Sequence, residues 1–156
     1  MRLMIAAVGR LRAGPELSLI EEYLDRADKA GRSLALGPCE VIEIDERKAR
    51  DKTSQSRKLI EAVRGGAVRV ALDERGKTMT SPAFASLLAR ERDGGAPAMA
   101  FLIGGADGLD DAARTACTHR LSFGPMVWPH MLARVMLAEQ LYRAVSILGD
   151  SPYHRA

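Results

Sequence analysis

The chain is poor in several residue types that usually announce a function. Only two cysteines occur in 156 residues, Cys39 and Cys117, far apart and outside any C-x-x-C pattern. That excludes a disulfide framework and a zinc knuckle, and it fits a reducing cytoplasm. Aromatic residues make up 4% of the chain, too few for the base-stacking platform of a single-strand nucleic-acid binder. The three histidines, His119, His130 and His154, are not at helix-face metal spacing and have no acidic cluster beside them, so no metal is expected. No apolar run approaches the roughly 20 residues of a membrane span. The apolar start, residues 1–8, stops at Gly9-Arg10 and reads as a buried strand rather than a signal sequence. The segment Ala71-Leu72-Asp73-Glu74-Arg75-Gly76-Lys77-Thr78 lacks the first glycine of a phosphate-binding loop, and Met79-Thr80-Ser81-Pro82 separates it from the next helix. It is not a nucleoside-triphosphate site. A G-x-G-x-x-G fingerprint and a nucleophile elbow are absent as well, which argues against a dinucleotide-dependent oxidoreductase and a serine hydrolase.

What is present is an ordinary soluble composition, 47% hydrophobic and 28% charged, in a length that fits one domain over residues 1–156. Apolar runs alternate with helix-period segments. Strands are expected at 3–8, 41–44, 67–72, 98–103 and 120–123. Helices are expected at 16–30, with Pro15 in the first turn and Gly31 as a stop, at 53–63, from Thr80 or Ser81 to 92, at 109–117 and at 130–148. The near-continuous apolar strands predict an α/β fold, a mostly parallel sheet with helices on both faces. Ligands in such sheets sit beyond the carboxyl ends of the strands, here after Leu72, Ile103 and Phe123.

The last helix is apolar almost all round. Met131, Val135, Ala138, Tyr142 and Val145 form one stripe, Leu137, Leu141, Ala144 and Leu148 its neighbour, and Leu132, Met136 and Ile147 lie opposite. One face is expected on the sheet and another against a second copy of the chain. Net charge is only +3, but Arg47, Lys48, Arg50, Lys52, Arg57 and Lys58 face a single acid, Asp51, within residues 47–58. That stretch reads either as a solvated surface or as a phosphate-tracking patch. Gly104-Gly105-Ala106-Asp107-Gly108 follows a buried strand and is either a tight strand-to-helix turn or a cofactor loop. His130, at a helix start, reads as a packing or capping residue. His154, in a short polar tail, is the better candidate for acid–base work.

Four segments together carry a resemblance. They are Leu72-Asp73-Glu74-Arg75-Gly76-Lys77, Leu102-Ile103-Gly104-Gly105-Ala106-Asp107-Gly108-Leu109, Pro129-His130-Met131-Leu132-Ala133-Arg134, and Glu139-Gln140-Leu141-Tyr142-Arg143-Ala144 with the closing Pro152-Tyr153-His154-Arg155. In length and motif order the chain resembles the RlmH family, SPOUT-class methyltransferases acting on pseudouridine in large-subunit (23S) ribosomal RNA. The likeness is specific over the last 90 or so residues and weak before about Val68. The resemblance implies an α/β knot with a C-terminal trefoil, a homodimer in the cytoplasm, S-adenosylmethionine (SAM) held in the knot, and ribosomal RNA or the ribosome as partner, with no membrane and no metal. It assigns the cofactor to Leu72, Gly104, Gly105 and the loop Phe123-Gly124-Pro125-Met126-Val127-Trp128, which departs from the small or polar run usual in the family. The tail matches the family at Tyr153-His154-Arg155, and the chemistry then assigns it catalysis: His154 as the base that takes the N3 proton, Tyr153 ordering or stacking on the pseudouridine, and Arg155 holding phosphate. The alternative is a non-catalytic RNA- or ribosome-binding module on the same fold, which would be marked by a lost cofactor loop or tail.

Overall fold

The computed structural model describes residues 1–63 and 65–154. Five strands, β1 (Arg2–Val8), β2 (Cys39–Ile44), β3 (Val68–Lys77), β4 (Ala98–Ile103) and β5 (His119–Leu121), form one sheet in the order β2-β1-β4-β3-β5. Every neighbouring pair is parallel. The helices are α1 (Pro15–Gly31), α2 (Lys52–Ala62), α3 (Ser81–Asp93), α4 (Asp111–Thr115) and α5 (His130–Leu148). β4 is buried along its whole length and β1 at all but Arg2, because both strands are central and covered on both faces. The period-2 alternation of side chains divides the core. Leu3, Ile5 and Ala7 pack with Ile20 and Leu24 of α1, Phe84 and Leu88 of α3, and Leu137 and Leu141 of α5. Met4, Ala6 and Val8 pack with Leu59 of α2, Val63 just after it, and Ala113 of α4. The result is a three-layer sandwich with α1, α3 and α5 on one face and α2 and α4 on the other.

The helix starts follow local chemistry. The Asp51 side chain accepts from the Ser54 amide in a capping box at α2, Thr80 Oγ1 accepts from the Ala83 amide at α3, and Asp110 accepts from the Ala113 amide at α4. Two sequence expectations are corrected. The helix expected over 109–117 is only Asp111–Thr115, because Asp110 caps it and Leu109 turns into the second core. α1 ends at Gly31, where a Cβ would lie 2.4 Å from the Leu36 carbonyl oxygen, and the left-handed residue of the following turn is Ala35, at φ 54°. The third strand runs past Leu72 to Lys77, but irregularly. Leu72 and Lys77 both pair with Leu121, so residues 73–76 leave the sheet in an excursion. The Ser122 amide donates to the Lys77 carbonyl, so the chain after β5 is held against that excursion.

α5 packs against α1 and α3, with Ala133, Leu137, Ala138, Leu141, Ala144 and Val145 buried. Within the chain it is covered on one side only. Met131 and Leu132 are exposed, and Val135, Met136 and Arg143 are half-buried. Arg134 is the exception on the buried side, with 1% of its surface exposed. Its Nη1 donates to Glu43 Oε2 at 2.9 Å and its Nη2 to the Val8 and Gly9 carbonyls at 3.2 and 3.1 Å. Burial lowers the guanidinium pKa, and the Glu43 carboxylate opposes that effect. Arg134 thus ties the first half of α5 to the ends of β1 and β2.

Candidate active site

Leu72, Ile103 and Leu121, at the carboxyl ends of the parallel strands β3, β4 and β5, open onto one cleft of about 290 Å³. The turn Gly104-Gly105-Ala106-Asp107-Gly108 forms one wall and the loop after β5 another. Of the residues assigned to the cofactor, Leu72, Gly104, Gly105, Phe123, Gly124, Met126, Val127 and Trp128 all line the cleft, and Pro125 does not. Leu72, Ile103, Leu121, Phe123, Met126 and Ala133 make its apolar surface, the kind an adenine ring needs. Lys52 and Arg75 stand on the polar side with Asp73 and Glu74.

The turn closes tightly, as one of its two sequence readings expects. A Cβ on Gly104 would lie 2.4 Å from the Gly108 carbonyl carbon, and one on Gly105 would lie 2.8 Å from Gln55 Oε1. Positive φ in this turn occurs only at Gly108, at 72°. Gly104 is therefore glycine because the turn closes on itself, in a bridge between Gly105 and Gly108, whereas at Gly105 the nearest atom is the end of the flexible Gln55 side chain.

Several residues that hold the cleft together were not singled out by sequence reasoning. Arg114 Nη1 lies 3.2 Å from Asp73 Oδ2 and donates to the Leu109 carbonyl, while its Nη2 pairs with Asp111. Asp73 Oδ1 accepts from the Arg75 amide at 2.8 Å, which shapes the excursion. Ser122 Oγ donates to the Glu74 carbonyl and accepts from the Gly124 amide, fixing the loop after β5 to that excursion. His130 lines the cleft, where the sequence reading gave it a packing or capping role. Its position directly after the loop at a helix start was the available signal.

The tail lies elsewhere on α5. Tyr153 Oη donates to Glu139 Oε1 at 3.0 Å, and Arg143 donates to the same oxygen from Nε and Nη2 at 2.9 and 2.6 Å. The Tyr153 ring lies 4.4 Å from that of Tyr142, centroid to centroid, with the Arg143 guanidinium 4.9 Å over its face. Burial and then the hydrogen bond to Glu139 push the Tyr153 phenol well above its ordinary pKa. His154 Nδ1 lies 3.4 Å from Arg143 Nη1. Arg155 lies outside the described residues. Tyr153 and His154 do not line the cleft. Ala133 does, and Arg143 follows ten residues later, about 15 Å along the helix. The structure thus gathers the cofactor residues in one place and the two described tail residues in another.

In the basic stretch, Arg47, Lys48, Arg50 and Arg57 are exposed. Arg47 is held in a two-point contact with Asp45, and Lys58 donates to the Lys48 carbonyl. Lys52 turns toward the cleft. Among the described residues there is no group of three or more His, Cys, Asp or Glu side chains placed to hold a metal ion, and no helix long and apolar enough to cross a membrane.

The family described as predicted SPOUT methyltransferase matches residues 1–154. The chain belongs to the SPOUT methyltransferase family. Among its SPOUT relatives, a protein of Dinoroseobacter shibae named ribosomal RNA large subunit methyltransferase H is 61% identical over 155 residues, 99% of each chain. A protein of Ruegeria pomeroyi with the same name is 54% identical over the same share. A solved structure, a probable methyltransferase from Bordetella pertussis, superposes with a TM-score of 0.54 at 17% identity, over 92% of this chain and 94% of that one. That likeness speaks for the fold alone. The α/β-knot class expected from the sequence is the SPOUT fold, and the five-stranded parallel sheet agrees with it.

Proposed function

We propose that the protein transfers a methyl group from SAM to N3 of a pseudouridine in large-subunit ribosomal RNA, working in the cytoplasm as a homodimer. The observation that carries this reading is the convergence of Leu72, the turn at Gly104 and Gly105 and the loop 123–128 on one cleft in a SPOUT chain whose close relatives are named as ribosomal RNA methyltransferases. The cleft fits the cofactor chemically. Apolar side chains flank strand ends whose backbone can bond an adenine, and Lys52 and Arg75 offer cations to a carboxylate. When bound there, SAM supplies an already activated methyl group, so no metal is required. The chain's own contribution is to hold the two reactants in line and to exclude misplaced ones. Because Val127 and Trp128 replace a small or polar pair, the reading assigns the hydrogen bonds of this loop to its main chain.

The same reading makes the working unit a dimer whose site is shared. Met131 and Leu132 are exposed on the first turn of α5. Beside them an apolar cavity of about 520 Å³ lies between α1, α3 and α5, bordered by Leu19, Tyr23, Met79, Phe84, Val135 and Met136. A second copy laid on that face covers it. Such a copy also brings its own Tyr153 and His154 toward this chain's cleft, which this chain's tail does not reach. Arg155 and the exposed cations around residues 47–58 supply phosphate contacts, which set register and affinity rather than sequence choice.

Purified protein, SAM and ribosomes from cells lacking this protein provide the test. Mass spectrometry of the ribosomal RNA should show one new methyl group on a pseudouridine. Tight ribosome binding with no methyl transferred would favour a non-catalytic binding module and remove this reading.

A further inference from the structure

The nitrogen of His154 that faces its neighbour is already committed. Arg143 Nη1 lies 3.4 Å from His154 Nδ1, while the same guanidinium is anchored by two bonds to Glu139 Oε1 and lies over the Tyr153 ring. Arginine carries five N–H donors and no acceptor. A protonated Nδ1 would point an N–H at an N–H, beside a fixed positive charge. Nδ1 is therefore the unprotonated nitrogen, and in a neutral imidazole the proton then sits on Nε2. The tyrosine hydroxyl cannot substitute as a base, because it donates to Glu139 Oε1 and burial and that carboxylate keep it protonated.

We infer that His154 serves as an Nε2–H hydrogen-bond donor to a carbonyl oxygen of the target base, and that Arg143 is the positioning residue that fixes this tautomer. The inference rests on the reading above, in which the tail meets a pseudouridine, and it replaces the role of proton acceptor expected of His154 from the sequence. N3 of the base is flanked by two carbonyls. When its proton passes to water, the charge left behind spreads onto both carbonyl oxygens. A fixed N–H donor aimed at one of them stabilises that anion without itself taking a proton. The Tyr153 ring, clamped between Tyr142 and Arg143, sets where the donor stands.

Two measurements test this, one without any turnover. In protein labelled with ¹⁵N-histidine, at about pH 8, the His154 ring, assigned by its loss in His154→Gln, should show an unprotonated Nδ1 and a protonated Nε2. The opposite tautomer overturns the inference. In single-turnover methylation of ribosomes, His154→Ala should be slower than wild type by about 10²–10³-fold, the usual cost of one such donor. His154→Gln keeps an amide N–H at the same reach and takes up no proton, so it should recover most of that loss. Equal loss in both variants means that His154 is the base, and wild-type rates in both mean that the tail is not used. Wild-type protein that methylates no RNA fails the functional reading itself, whatever the tautomer.

Discussion

The cleft and the tail are built from different materials. The cleft is made of strand ends, a turn closed by glycine backbone and a loop pinned by Ser122, so its shape depends on main chain. The tail cluster is made of side chains, in which one carboxylate, Glu139, gathers a guanidinium and a phenol. Backbone-built sites tolerate side-chain change, and side-chain-built sites do not.

The largest effect expected from breaking this contrast is at the turn. Gly104→Val sets a side chain into the Gly108 backbone, where a Cβ already stands 2.4 Å from the carbonyl carbon. No flexible group is available to yield, so thermal unfolding should reveal a destabilisation above about 4 kcal/mol or no folded protein. By contrast, Val127→Thr should leave SAM affinity by calorimetry within a few fold of wild type. A large increase would mean that a hydroxyl belongs in the site.

Next in size is Arg134→Met. It removes the buried guanidinium that the Val8 and Gly9 carbonyls share with the partly exposed Glu43, and leaving a buried acceptor unsatisfied costs about 1–3 kcal/mol. Urea denaturation of Arg134→Met, Glu43→Gln and the double variant measures it. The double variant should be less destabilised than the sum of the singles. Full additivity would show that the two groups do not act together.

A mixing experiment sharpens the comparison directly. Ala106→Trp fills the cleft from an exposed position and should abolish SAM binding. A chain ending at Pro152 lacks the tail and should bind SAM normally while turning over at least about 10²–10³-fold slower. Each is inactive alone. If the site is shared between protomers, equal mixing should restore about a quarter of the wild-type sites. No recovery after confirmed exchange of subunits would place tail and cleft in the same chain.

How much of this was legible in the sequence follows from the range of the interactions. The strands and helices rest on local apolar runs and caps, and they were readable almost to their ends. The cleft was readable as a place, because parallel strands put their carboxyl ends on one side. The strict need for glycine at Gly104 was not, since the atoms that demand it belong to the Gly108 backbone. Arg134 reads as one more charge in an apolar helix until Glu43, ninety-one positions away in the sequence, comes beside it. The docking of Tyr153 on Glu139 was within reach, because Glu139 and Arg143 stand at i and i+4. Tyr153 lies past the helix and directly after Pro152, yet its ring is clamped on α5. The knot is a property of the whole chain path, and no local pattern encodes it.

The smallest effect expected concerns the basic surface, where the structure separates cations that the sequence had grouped. The salt dependence of ribosome binding counts the phosphates that the protein neutralises, with a log–log slope of about 0.7–0.9 for each. Arg50 and Arg57 are exposed, whereas Arg47 has both arms of its guanidinium on Asp45. Neutralising Arg50 and Arg57 together should flatten the slope by about 0.7–0.9 for every phosphate that these two side chains hold. Neutralising Arg47 with Asp45 keeps the net charge and frees no phosphate, so the slope should not change. A slope that falls in the Arg47/Asp45 pair would mean that RNA displaces Asp45 from Arg47 on binding. An unchanged slope in the Arg50/Arg57 pair would leave the stretch as a solvated surface and shift phosphate binding to Lys52 and Arg75 at the cleft, where RNA must approach to present its base.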